Sequence, residues 1–282
     1  MGWQWSANKG YLRKSRRSIL GLETKNVLIT VKAPPNPSQK YQETNCCAGI
    51  ELSTTKWIRL YPIPFRLLED DKKFPKYSII TVNCGRPLRD KRVESYKVDQ
   101  DSITIQSVID TRNQWEKRKE IVIPTISPSF CAIFEEIRNN KSLGVFKPID
   151  IEFDFKKSIG QDEKKRQAAY NQYRLFDKKL KPIEQMPFSF YYKFRCHNLP
   201  DCCGHKLMIH DWELTESYRR WRQKYKEERL LLDKIKQKWF NDICGPKKDV
   251  YFYVGNVWRR PKQFMLLGVF YPPKSAPTLF TH

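Results

Sequence analysis

Val27-Leu28-Ile29-Thr30-Val31, then Cys46-Cys47-Ala48-Gly49-Ile50-Glu51-Leu52, then Lys56-Trp57-Ile58-Arg59-Leu60-Tyr61 follow one another in the first quarter of the chain. Each is a short run rich in β-branched, aromatic or other apolar residues. A loop holding Pro34, Pro35 and Pro37 separates the first two, and Ser53-Thr54-Thr55 turns the second into the third. Residues 78–84 and 102–108 continue the series. Several short strands broken by polar turns predict a small barrel or sandwich. Trp57, Arg59 and Tyr61 alternate and therefore share one face of their strand.

Outward from this β region, residues 1–25 form a basic arm carrying Trp3, Trp5 and Tyr11. The barrel is assigned to 26–125 and a mixed region to 126–282, so the expected class is α+β. A short helix at 110–119 ends the barrel region, and a second at 129–139 in the mixed region leads to a strand at 144–155. Phe130, Ile133, Phe134 and Ile137 give the second of those helices its apolar face. A charged helix is expected at 162–179 and an aromatic strand at 188–195. A long amphipathic helix is expected from Asp211 to Ile243, with Leu214, Tyr218, Trp221, Tyr225, Leu232, Ile235 and Trp239 in one stripe. Asp211 reads as its N-cap, and Gly245-Pro246 as its stop. Strands at 249–255 and 263–271 close the chain.

The 282 residues include 53 Lys and Arg against 31 acids, a formal charge of +22. So large an excess repels itself unless a polyanion neutralises it, which points to nucleic acid. The longest apolar run, 264–271, is too short to span a bilayer, and no apolar segment follows the basic N-terminus as a secretory signal requires. The adjacent pairs Cys46-Cys47 and Cys202-Cys203 do not form a spaced disulfide framework. Reduced thiols and a cytoplasmic location are expected.

Three of the four histidines and three of the eight cysteines fall between Cys196 and His210. Cys196, Cys202 and His205 give a Cys-x5-Cys-x2-His arrangement, bent by Pro200 and Gly204. Thiolates and imidazoles at this density suit a tetrahedral zinc knuckle. His210 is taken as fourth ligand, with His197, Cys203 and Cys244 as alternatives. Lying between a strand and a helix, such a zinc would be structural.

Arg219, Arg220, Arg222 and Lys224 on the long helix, and Arg259, Arg260 and Lys262 after Trp258, are the candidate phosphate contacts. No phosphate-binding glycine loop, dinucleotide fingerprint or nucleophile elbow is present. Two weak catalytic sets remain: Asp150, Glu152 and Asp154 alternating on one strand with Lys156 beyond, and the pair Asp211 and Glu213. Either would make the protein a metal-dependent nuclease. A scaffold whose basic face binds an acidic protein partner is the other alternative.

Ser38-Gln39-Lys40-Tyr41, Cys47-Ala48-Gly49-Ile50 and Trp57-Ile58-Arg59-Leu60-Tyr61-Pro62 together resemble the first barrel of bacterial dual OB domain-containing proteins. Leu60-Tyr61 stands here before the proline where that family has Trp-Ile-Arg-Pro. The chain also resembles a bacterial group carrying a Cys…Asp-Cys-x-Gly-His…Asp-Trp-Glu element, matched by Cys196, Asp201-Cys202, Gly204-His205 and Asp211-Trp212-Glu213. The resemblance implies an OB-like barrel that binds single-stranded DNA or RNA, with Trp57, Arg59 and Tyr61 as the contacts unless their shared face is the barrel's interior, and a place as accessory or sensor in a bacterial mobile-element or defence system.

Overall fold

A computed structural model describes residues 19–38, 41–158, 183 and 186–274. Strand β1 (Ile19–Lys32) is far longer than the apolar run that announces it, because it serves two neighbours. Residues 27–32 pair with β3 (Gln42–Glu51), while 19–28 pair with β5 (Ser78–Pro87). Strand β3 pairs with β4 (Lys56–Ile63). A short strand, β6 (Ser95–Val98), then lies parallel to β4 and antiparallel to β5. The order β1-β3-β4-β6-β5 thereby closes into a five-stranded barrel, with β2 (Asn36–Ser38) and β7 (Thr104–Val108) added to β3 and β5. Gly49 is required at the β1–β3 crossing. A Cβ there would stand 2.0 Å from the Leu28 carbonyl oxygen.

Val27, Ile29, Ile58, Leu60, Ile80 and Val82 fill the barrel. Leu28, Val31, Ala48 and Ile50 point outward, yet they are buried too, against Leu143, Val145, Tyr253 and Leu267 of the second lobe. Burial on both faces is the physical reason that Val27-Leu28-Ile29 shows no polar alternation. Trp57, Arg59 and Tyr61 belong to this outer face.

The second lobe holds two three-stranded sheets. One is ordered β11 (His205–Met208), β10 (Phe188–Cys196), β9 (Pro148–Lys157). The other is β13 (Arg260–Phe270), β12 (Tyr251–Val257), β8 (Leu143–Phe146). The single strand expected at 144–155 is therefore two, divided at Lys147-Pro148. Its first part pairs with β12 and its second with β10 in a different sheet. Aromatic rings join the sheets: Tyr192 stacks on Phe252 at 4.9 Å and Phe146 meets Phe194 at 5.2 Å between centroids. Such pairs contribute ~0.5–1.5 kcal/mol each beyond the area they bury.

The described residues hold four α-helices besides short 3-10 turns: α1 (Arg112–Val122), α2 (Phe130–Glu135), α3 (Trp212–Lys224) and α4 (Glu228–Lys236). The long helix expected from Asp211 to Ile243 is not one helix. The chain becomes extended at Tyr225, with φ −104° and ψ 98°, and helix resumes at Glu228 before a π-helical turn over Gln237–Asp242. Residues 226–229 are all charged and exposed, so nothing apolar holds that stretch against a neighbour. After the break Leu231, Leu232, Ile235 and Trp239 return to the same core as Leu214 and Tyr218. The helix expected at 162–179 and the arm before residue 19 lie outside the described residues.

Polar locks fasten barrel to lobe. Lys76, just before β5, donates to both carboxylate oxygens of Asp211 at 2.8 and 2.7 Å. The buried Glu94 carboxylate accepts from the Ser142 N–H at 2.9 Å and its hydroxyl at 2.8 Å. Arg59 donates to the Ser142 carbonyl at 3.3 Å, and Arg92 to the Asn256 carbonyl at 3.0 Å. Among the described residues no helix is long and apolar enough to cross a membrane.

Breaking a buried pair strands the surviving charge, which costs ~3–5 kcal/mol. Lys76→Ala should lower unfolding stability by that amount in urea titrations, whereas Lys72→Ala, at an exposed pair with Glu69, should change it by less than ~1 kcal/mol. Equal effects would show that the lock does not hold the lobes.

Candidate metal centre

Cys131, Cys196, Cys202 and His205 converge, their ligand atoms all within 4.8 Å of one another. Cys196 ends β10 and His205 begins β11, so the hairpin's antiparallel register brings both to its tip. Gly204, at φ +86°, turns the chain back in a conformation that side chains other than glycine rarely adopt. Arg195 steadies the intervening loop by donating to the Pro200 carbonyl at 2.9 Å. Cys131 comes from α2, which Ser129 caps by accepting from the Ala132 N–H at 3.0 Å. The sulfurs of Cys131 and Cys202 each lie 3.3 Å from His205 Nε2, and the Cys131 and Cys196 sulfurs are 3.8 Å apart.

The surroundings favour a metal over free thiols. Burial pushes the Cys131 thiol up to about 12, and the neighbouring Cys196 and Cys202 sulfurs add to the effect. Three thiolates this close repel one another unless a cation is shared among them. Burial works against the Cys202 thiolate, but N–H donors from Cys196 and Gly204 outweigh it and lower that thiol. Burial also lowers His205, which favours the neutral imidazole a metal needs. The ring is held by Phe130 at 4.7 Å and Phe194 at 5.4 Å.

Three of the four sequence-assigned ligands, Cys196, Cys202 and His205, are thus together, and His210 is not. Its N–H donates to the Leu266 carbonyl at 2.7 Å, because the chain has by then left the β10–β11 hairpin and joined β13. His197 is exposed beside Asn198, Cys203 is exposed, and Cys244 lies by Trp239. The missing ligand is Cys131, 65 positions before Cys196. No spacing rule reaches that far, and its helix was legible only as an apolar face.

The acidic strand does not form a catalytic cluster. In β9, Glu152 faces Lys193 at 3.2 Å, Asp154 faces Lys206 at 2.5 Å, and Asp150 faces Arg195 at 3.6 Å. A bulge places both Asp150 and Ile151 opposite Phe194, with Asp150 at φ 51°, so the alternation that would align the three acids is broken. Lys156 lies over the Tyr191 ring at 5.5 Å. Asp211 caps α3 by accepting from the Glu213 N–H at 2.9 Å, and both carboxylates face Lys76. Among the described residues the Cys3His set is the one group of three or more His, Cys, Asp or Glu residues gathered closely enough for a metal.

The basic candidates lie at the surface. Arg219 pairs with Glu216 at 2.5 Å, Arg220 is 81 % exposed, and Lys224 rests over Tyr225 at 5.4 Å. Arg222 belongs to the same helix face. Arg259, Arg260 and Lys262 form the exposed β12–β13 hairpin, with the Arg259 guanidinium 4.2 Å from the Trp258 ring centroid. Trp57 is edge-on to Tyr253 at 5.7 Å and Arg59 is buried, both inside the seam between barrel and lobe, while Tyr61 is half-exposed.

Metal analysis of the purified protein should find one ion per chain. Cys131→Ser should remove it while Cys244→Ser keeps it; retention in the Cys131 variant would exclude that ligand. A pH effect is expected apart from the metal. Burial holds His210 down to about 4, below its ordinary 6.5. The unfolded chain therefore takes up this proton first as pH falls, so the stability it confers is complete above pH 6.5 and lost toward pH 4. His210→Gln should flatten that part of the stability–pH curve, by at most ~1.4 kcal/mol per pH unit. Unchanged slopes in urea titrations would contradict the assignment.

No curated protein matches the chain. Residues 23–124 match a family described as a domain of unknown function, DUF8758, and residues 126–282 match a second such domain, DUF8757. The second match spans more than half the chain, and on that ground this protein belongs to the DUF8757 family.

Proposed function

We propose that this protein binds single-stranded nucleic acid through an OB-like barrel, and that the Cys3His centre holds a structural zinc ion. The observation that carries the reading is the barrel's closure. The order β1-β3-β4-β6-β5, with a parallel β4–β6 pair, is the strand arrangement of an OB barrel. In that architecture the face made by the second and third barrel strands, here β3 and β4, meets nucleic acid. Tyr61 stands half-exposed on that face as a stacking surface. The net charge of +22 supplies long-range attraction for phosphate. The hairpin cations Arg259, Arg260 and Lys262 have no carboxylate within ion-pair distance among the described residues, so they are the better phosphate contacts. Arg219 and Arg220 share Glu216.

Zinc is the metal that best suits three thiolates and an imidazole, and four protein ligands leave no open position for a reacting water. The ion would tie α2 to the β10–β11 hairpin. Asp150 and Glu152 are engaged by Arg195 and Lys193 of β10, and Asp154 by Lys206 of β11, so the nuclease reading gains nothing from the geometry.

Fluorescence anisotropy with labelled single-stranded DNA and RNA should show affinity falling steeply on a log-salt scale. The double variant Arg259→Glu, Arg260→Glu should weaken binding and reduce the slope by about 1–2. Affinity independent of salt would reject the phosphate contacts. Cobalt(II) exchanged into the metal centre should give the visible bands of a tetrahedral thiolate site; an octahedral spectrum would overturn the closed Cys3His assignment.

A further inference from the structure

Between the barrel's outer face and the second lobe lies a cavity of about 380 Å3. Tyr61 of β4, Arg89 in the β5–β6 connection, and His210, Asn256 and Trp258 of the second lobe all contribute to its walls. The second lobe therefore covers part of the face along which an OB barrel would lay a strand. What remains is a half-open pocket in the size range of a small-ligand site.

Its chemistry is two-sided. Tyr61 and Trp258, 48 % and 44 % exposed, line it from opposite lobes and offer flat apolar surface. Arg59, Arg89, Arg92 and Lys97 supply cations against one carboxylate, Asp90, which already binds Arg92 at 2.7 Å. Arg59 is 3 % exposed and its Nε has no hydrogen-bond partner, although Nη2 reaches the Ser142 carbonyl. Among the described residues no carboxylate lies within ion-pair distance of Arg59. Glu94 and Asp90 act on this buried guanidinium only at longer range, without an ion pair, and an anion in the cavity would offset more of its burial cost. Gly255 lets Leu143, Leu267 and the Arg59 guanidinium pack directly on the β12 backbone: a Cβ there would stand 2.7 Å from Leu267, 2.8 Å from Leu143 and 3.3 Å from Arg59 Nη2.

We infer that this cavity takes a single nucleotide unit, its base against Tyr61 and Trp258 and its phosphate toward Arg59 and Arg89. The inference rests on the nucleic-acid reading for the identity of its ligand. It adds that the barrel face admits one nucleotide, either a free mononucleotide or the end or an extruded base of a strand, and not a continuous track. Aromatic stacking supplies affinity without choosing among bases, since every base has a π-face.

Titrations separate the cavity from the parent reading and one source from the other. Oligonucleotides carrying 2-aminopurine at an end or in the middle are titrated in parallel with the four free nucleoside monophosphates, the latter followed by tryptophan fluorescence. Tyr61→Ala and Trp258→Phe are compared with the wild type, and retained near-UV circular dichroism shows that each variant is folded. If a strand is the source, Tyr61→Ala should weaken oligonucleotide binding roughly tenfold and Trp258→Phe by less, since phenylalanine keeps a smaller stacking face. The log-salt slope should stay unchanged, and 2-aminopurine should be quenched at one position only. If the free nucleotide is the source, a monophosphate should saturate a tryptophan signal that Trp258→Phe removes. Oligonucleotides that bind with wild-type affinity to both variants would overturn the cavity and leave nucleic-acid binding standing. A monophosphate that binds where oligonucleotides do not would keep the cavity and end the strand reading. Binding of neither would end both.

Discussion

Asp211 lies 1 % exposed at the point where barrel, helix and sheet meet, and its one carboxylate binds both the barrel and the helix. It accepts from the Glu213 N–H, which starts α3, and from Lys76, which enters β5 of the barrel. Gly268 of β13 leaves room for the pair: a Cβ there would come within 3.3 Å of Asp211 Oδ2 and 3.5 Å of Lys76 Nζ. Burial alone would discharge Lys76, but the adjoining Asp211 and Glu213 charges reverse this and keep it protonated. A helix cap and an interlobe ion pair thus share one group. The start of α3 is fixed relative to the barrel, and β11, three residues before Asp211, is fixed with it.

Much of the remaining architecture follows from that docking. The barrel's outer face can be as apolar as its interior only because the β8–β12–β13 sheet covers it. Leu28, Val31, Ala48 and Ile50 would otherwise form an exposed patch of the kind that drives association. Where the cover ends, the surface changes character: Tyr61 and Trp258 are half-exposed and the cations of the β5–β6 connection gather. The candidate metal ligands of the β10–β11 hairpin sit at its far end from Asp211, beside Cys131 of α2. A short helix of this kind has little stability of its own, so an ion bound to Cys131 would stabilise it directly.

The sequence was most legible where chemistry is local. Cys196, Cys202 and His205 fall within one hairpin, so spacing alone grouped them, and Asp211 was readable as a cap because it stands directly before an amphipathic stripe. The barrel strands were readable from composition and turns, although β6 and β11, each four residues long, left no pattern to find. Cys131 was invisible as a ligand because its partners are contiguous only in space. The helix from Asp211 onward was read as continuous because its stripe keeps helical spacing on both sides of residues 226–229. The break is set by the common core to which both halves return.

Taken alone, the sequence determined the charge, the β character of the first half, the hairpin ligands and the helix start. These depend on residue type and on neighbours a few positions away. Tertiary structure alone decided which face of Trp57, Arg59 and Tyr61 is covered, which fourth side chain completes the metal set, and that the acids of β9 are paired along a strand instead of converging. Those outcomes depend on register and on the packing of one lobe against the other, and contacts between distant segments leave no periodicity in the chain that makes them.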